Sequence, residues 1–133
     1  MKNIDGFRDF KTPIPDLEGL SVMVTGGTGS FGSKFCEVVL KEFKLKKLIV
    51  FSRDEMKQLE LSNKLGVTND TSSLRFFLGD VRDRDRLEMA MRDVDMVIHA
   101  AALKQVPAAE YNPIECINTN ILGAENVVKA AIR

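Results

Sequence analysis

From Leu20 onward the apolar positions follow two alternating periods. Short continuous runs, Leu20 to Thr25 (LSVMVT), Leu48 to Phe51 (LIVF), Leu74 to Leu78 (LRFFL) and Met96 to Ala100 (MVIHA), are rich in Val, Ile and Phe. Such runs predict strands buried on both faces, as in a parallel sheet. Between and after them, apolar residues recur at three- and four-residue spacing. Phe31, Phe35, Val38, Val39 and Phe43 mark a first helix, Asp54 to Leu65 a more polar second, and Leu87, Ala90, Met91 and Val94 a third. Ile117, Ile121, Ala124, Val128 and Ala131 draw an apolar stripe along a last helix. Ser52-x-x-Glu55 and Asn112-Pro113-x-Glu115 have the form of capping boxes at helix starts. Gly66 to Ser73 (GVTNDTSS) reads as a loop. Residues 1–19, with Pro13, Pro15 and Gly19, show no sustained period and read as an irregular arm that Phe7 and Phe10 would anchor. Residues 20–133 form the domain.

Four strand–helix units in succession imply an α/β fold with right-handed crossovers. The composition agrees: 133 residues with 44% hydrophobic content suffice for one domain with a core. The 19 basic and 19 acidic residues are dispersed, which speaks against a nucleic-acid or anionic-membrane surface. No apolar run approaches the roughly 20 residues of a bilayer span, and the first residues lack a signal-peptide core. A soluble, cytoplasmic chain is expected. One histidine and two distant cysteines, Cys36 and Cys116, exclude a Cys/His metal site as an expectation and read as reduced thiols.

The first strand runs into Thr25-Gly26-Gly27-Thr28-Gly29-Ser30-Phe31-Gly32, which opens the first helix. Gly27-x-Gly29-x-x-Gly32 has the dinucleotide spacing. Glycines there permit a tight turn, let backbone approach a pyrophosphate and allow close helix–strand packing. Unpaired N–H groups and the helix dipole then favour the phosphate. A triphosphate-binding loop would need Lys-Ser/Thr after Gly32, and the chain has Ser33-Lys34 in the reverse order. The fold class is therefore read as a Rossmann-type parallel sheet with helices on both faces, in order 3-2-1-4. In that order the fourth strand is an uncovered apolar edge, which makes the domain look incomplete and prone to self-pairing.

Specificity for the adenosine ribose is set at the end of the second strand, where Ser52-Arg53-Asp54-Glu55-Met56-Lys57 stands. Arg53 offers a fork to a 2′-phosphate and Lys57 follows one turn later, favouring NADP. Asp54 keeps NAD as the alternative. Asp80 after the third strand is placed to accept from an adenine amino group, with Val81 over the ring, or else only to organise its turn. Ala100, Ala101 and Ala102 present small side chains where a backbone passes close to a cofactor. His99, ending the fourth strand, reads as a satisfied, half-buried core histidine rather than a catalytic one.

The blocks TGGTGSFG, FSRDEMKQLELS, GDVRDRDRL, AMRDVDMVIHAAALKQVPAAEYNP and ECINTNILGAENV resemble the extended short-chain dehydrogenase/reductases of the polysaccharide-biosynthesis group. The resemblance covers about residues 20–133 and is nearest to the inverting UDP-N-acetylglucosamine 4,6-dehydratase branch. It implies an NADP-dependent lyase that oxidises C4 of UDP-N-acetylglucosamine, eliminates water across C5–C6 and returns hydride to C6 with inversion at C5. It also implies a homo-oligomer. The family's Tyr-x-x-x-Lys pair is absent: Tyr111 is the only tyrosine and Glu115 stands four residues on. No catalytic residue is assigned in this chain, and that block is expected beyond Arg133. Asn120 matches the family's asparagine that supports the active-site lysine, and Lys104 a lysine near the nicotinamide ribose. The alternatives are another nucleotide-sugar epimerase or reductase of the same group, or a dinucleotide-binding module without chemistry.

Overall fold

The computed structural model describes residues 15–133. Strands β1 (Ser21–Thr25), β2 (Lys47–Ser52), β3 (Leu74–Leu78) and β4 (Met96–His99) form one parallel sheet in the order β3-β2-β1-β4. Val24 lies beside Val50 on one side and Ile98 on the other. Alternate strand residues feed two cores. Val22, Val24, Leu48 and Val50 pack under α1 (Ser30–Glu42) and α2 (Glu55–Thr68), against Cys36, Val39, Leu61 and Leu65. Met23, Ile49 and Phe51 face the other way, onto Leu87 and Ala90 of α3 (Arg84–Ala90) and onto the last helix. Burial on both faces is why these strands read as unbroken apolar runs. The Rossmann-like class and its strand order are as expected, and β4 lies at the end of the sheet, only part-buried at Met96, Val97 and Ile98.

Residues 15–19 lead into β1. Leu17 enters the first core, and Gly19 N–H donates to Lys44 O at 2.9 Å. The expected anchors Phe7 and Phe10 lie outside the described residues. Cys36 is buried, which pushes its thiol up to about 12, and both cysteines are free. Among the described residues no His, Cys, Asp and Glu cluster suits a metal, and no helix is long and apolar enough to cross a membrane.

Local details depart from the sequence pattern. In α1 the buried residues are Gly32, Cys36 and Val39, while Phe31 and Val38 are exposed and Phe31 stacks on Phe35. The expected box at Ser52 does not form. Ser52 is the last residue of β2, its hydroxyl accepts from Gln58 Nε2 at 2.9 Å, and Asp54 caps α2 through Lys57 N–H at 3.0 Å. That helix continues through Gly66 to Thr68, where the sequence read a loop.

After β4 the chain makes a short unpredicted helix α4 (Val106–Tyr111), then α5 (Pro113–Ile117), a π segment (Asn118–Leu122) and α6 (Gly123–Ile132). The second expected box also fails. Asn112 precedes α5 as expected, but its side chain donates back to Ala108 O, and Glu115 pairs with Arg82. The apolar stripe of the last helix lies largely on the outside: Ile121 is 61% and Val128 57% exposed. Thr119, Gly123, Val127 and Ala130 face inward instead. Close approach decides this, because a Cβ on Gly123 would lie 2.7 Å from Val81 Cγ2. Only the small-residue face fits at that spacing.

Candidate functional site

The carboxyl ends of the strands open into a groove of about 1240 Å³, enough for a ligand of cofactor size. Its floor is the turn after β1. Gly26 has φ +65°, and a Cβ there would meet Ala101 Cα and N at 2.8 Å, so only glycine lets the β4 loop cross the turn. Gly32 is as constrained, since its Cβ would stand 2.5 Å from Gly27 Cα. The turn therefore brings the first turn of α1 hard against the sheet.

That helix begins unusually. Gly29 is its N-cap, no side chain caps it, and its first turn has no acidic residue. By contrast, α2 is capped by Asp54 with Glu55 following, and α3 by Asp83 with Asp85 in its first turn. The N–H groups at the start of α1 thus lack a side-chain partner and carry the positive end of the dipole toward the groove.

Thr25 is buried below the groove and ties its two walls together. Its Oγ1 accepts from Ala100 N–H at 3.1 Å and Ala101 N–H at 3.3 Å. With both lone pairs used, its proton goes to His99 Nδ1 at 2.6 Å. His99 is therefore neutral with its hydrogen on Nε2, a tautomer assigned from the bonding pattern. His99 ends β4 on the exposed side rather than as the half-buried core residue expected, and desolvation of its covered part holds its pKa below the usual histidine value.

At the end of β2, Arg53 is half exposed and its Nη1 lies 3.8 Å from Asp80 Oδ2. Asp80 Oδ1 accepts from Arg82 N–H at 2.9 Å, while Oδ2 accepts from Arg82 Nε at 3.0 Å and Nη2 at 2.8 Å. Partial burial raises the Asp80 carboxyl, but the Arg82 hydrogen bonds and the Arg82 and Arg53 charges outweigh it and hold the carboxyl below its ordinary value. On the far wall, Asn120 clamps the β4 loop: Oδ1 accepts from Leu103 N–H at 2.8 Å and Nδ2 donates to Leu103 O at 3.0 Å.

Gly26, Thr28, Gly29, Ser30, Phe31, Gly32, Ser52, Arg53, Lys57, Asp80, Val81, Ala100, Ala101, Ala102 and Lys104 all line the groove. Thr25, Gly27 and Asn120 stand behind it as supports. Sequence reasoning missed Gln58, buried on α2 and bonded to Ser52 and to Phe77 O. Its place on the Leu61–Leu65 face of the helix was the available signal. It also missed Thr119, which lines the groove with a buried hydroxyl that has no partner among the described residues. No sequence signal marked it, because the π segment that turns it inward was not foreseen.

Parallel order, crossover helices and a glycine turn facing the groove define a Rossmann-like α/β module. Residues 22–133 match the family described as polysaccharide biosynthesis protein, and the chain belongs to that family. It is 55% identical over 114 residues to a UDP-N-acetylglucosamine 4,6-dehydratase (inverting) of Campylobacter jejuni, covering 86% of this chain and 33% of that protein. It is 50% identical over 115 residues to a UDP-glucose 4-epimerase of Rickettsia akari, covering 84% and 33%. Among solved structures, Pen from Bacillus thuringiensis superposes with a TM-score of 0.81 at 42% identity, over 87% of this chain and 35% of that one. The chain spans about a third of the length of the curated relatives it matches.

Proposed function

We propose that these residues form the NADP-binding part of a nucleotide-sugar 4,6-dehydratase acting on UDP-N-acetylglucosamine in surface-glycan biosynthesis. The start of α1 carries this reading: it is the uncapped, acid-free helix end among the three that follow β1, β2 and β3, and it opens into the groove. The residues present fit a dinucleotide. Gly26 and Gly32 bring backbone where a side chain would not fit. Thr119, whose buried hydroxyl has no partner among the described residues, lines the same groove.

In this reading the N–H groups of Ser30 and Phe31 bind the pyrophosphate. Arg53 and Lys57 take the 2′-phosphate. Asp80 and Val81 meet the adenine, and Ala100, Ala101 and Ala102 keep the far wall low. Lys104 stands at the mouth, and Asn120 holds the loop that carries it. When bound, NADP supplies a reversible hydride acceptor for the sugar. No acid or base is assigned within these 133 residues: Tyr111 is 88% exposed and Glu115 is engaged by Arg82.

Titration of the chain with NADP+ and NAD+ by isothermal calorimetry tests the proposal. NADP+ is expected to bind more tightly, and Arg53→Ala to weaken NADP+ far more than NAD+. Absence of binding by either cofactor refutes the dinucleotide reading, while a preference for NAD+ refutes its NADP half. The chain alone is expected to bind without converting UDP-N-acetylglucosamine, and a 4-keto product from it would overturn that.

The Rickettsia relatives favour a second reading, a UDP-sugar 4-epimerase. It shares the groove and differs in product. An enzyme containing these residues that releases water from UDP-N-acetylglucosamine supports the dehydratase, and one that yields only the C4 epimer supports the alternative.

A further inference from the structure

We infer that Arg82 sets the preference for a 2′-phosphate at second hand, by occupying the Asp80 carboxylate that would otherwise capture Arg53. The inference rests on the NADP reading above and adds a positioning residue to it.

Arg82 is held from two sides. Its Nε and Nη2 both donate to Asp80 Oδ2, and its Nη1 donates to Glu115 on α5. Asp80 in turn closes on the Arg82 backbone through Oδ1. Arg53 stands at 3.8 Å from the same Oδ2, near enough for Coulomb attraction but with no hydrogen bond. Its side chain is 53% exposed and its guanidinium remains free to present its fork to the groove.

The two arginines compete for one acceptor, and distance says which has won. Charge-assisted bonds at 2.8 and 3.0 Å from Arg82 fill Oδ2. If Arg82 is removed, Arg53 is the nearest cation left and needs to move only about 1 Å to reach bonding distance. The fork that would grip a phosphate then turns onto Asp80. The Arg82 guanidinium is correspondingly held in its charged form, first by its bond to Asp80.

Adenosine 2′,5′-bisphosphate and adenosine 5′-monophosphate isolate the ribose end without the nicotinamide. The readout is the ratio of their dissociation constants in the wild type, Arg82→Gln, Asp80→Asn and the double variant. Arg82→Gln is expected to reduce the preference for the bisphosphate about fivefold, the scale of an exposed ion pair. Asp80→Asn is expected to leave the preference at or above wild type, and Arg82→Gln to cost nothing further in that background. A purely structural role would weaken both nucleotides together and leave the ratio unmoved. An unchanged ratio in Arg82→Gln overturns the inference. So does a fall that persists in the Asp80→Asn background, since Arg82 would then act on the phosphate itself. Should Arg82→Gln not fold, Arg82→Lys, which loses the two-point grip, is expected to lower the ratio about twofold, and no fall there is equally decisive. A wild-type ratio showing no preference for the bisphosphate sinks the NADP reading and the Arg82 role with it. A clear wild-type preference that ignores Arg82 sinks only the latter.

Discussion

The helices after β1 and β2 start at the same edge of the sheet and are finished in opposite ways. At α2 the Asp54 carboxylate accepts from Lys57 N–H and Glu55 follows it, so the helix end is neutralised from within. At α1 a glycine stands at the cap, no side chain bonds the first turn and no acid lies in it. The first arrangement serves stability. With glycine at the cap, the second gives up only about a few tenths of a kcal/mol of capping and leaves donors and positive dipole facing a groove. Within one domain, the helix end that omits its own cap is the one to examine for an anionic ligand.

Breaking the glycine turn should have the largest effect. Gly26→Ala places a Cβ 2.8 Å from Ala101 backbone and forces a left-handed residue. A loss of about 3 kcal/mol in denaturant unfolding is expected, together with loss of cofactor binding. Giving α1 the acid that α2 already has separates binding from stability. Ser30→Asp should raise the melting temperature slightly through the dipole while lowering NADP+ affinity about tenfold. If affinity holds, the uncapped end is not the phosphate site. The reverse change, Asp54→Ala, should cost about 1 kcal/mol of stability without weakening NADP+.

The smallest effect expected is that of pH on the Thr25–His99 link. His99 has its pKa lowered in the fold, so the unfolded chain takes up its proton first as pH falls. The stability it contributes is complete above the unfolded value near 6.5 and is lost as pH falls through the lower folded value. His99→Gln should flatten that part of the stability–pH curve, and an unaltered slope would refute the assignment of a neutral ring.

Much of this was legible in the chain. The four apolar runs became four strands, and the spacing of Gly27, Gly29 and Gly32 located the turn, because both patterns are local. Helix faces were harder to read. The last helix is apolar on two sides, and periodicity alone does not say which is buried; the small-residue side is. Capping was misread twice for a related reason. Ser52 and Asn112 have the right chemistry, but Gln58 and Ala108 O, respectively, claim their side chains.

The sequence alone determined the class of fold, the order of its elements and the position of the glycine turn, since periodicity and the need for absent Cβ atoms are written residue by residue. Tertiary structure alone decided which helix face is buried, which arginine holds Asp80 and why Thr119 lies at the groove with its hydroxyl buried. Those outcomes depend on spacings between elements far apart in the chain. Val81 against Gly123 and Arg82 against Glu115 meet only once the sheet has set the distance between β3 and the helices that follow β4.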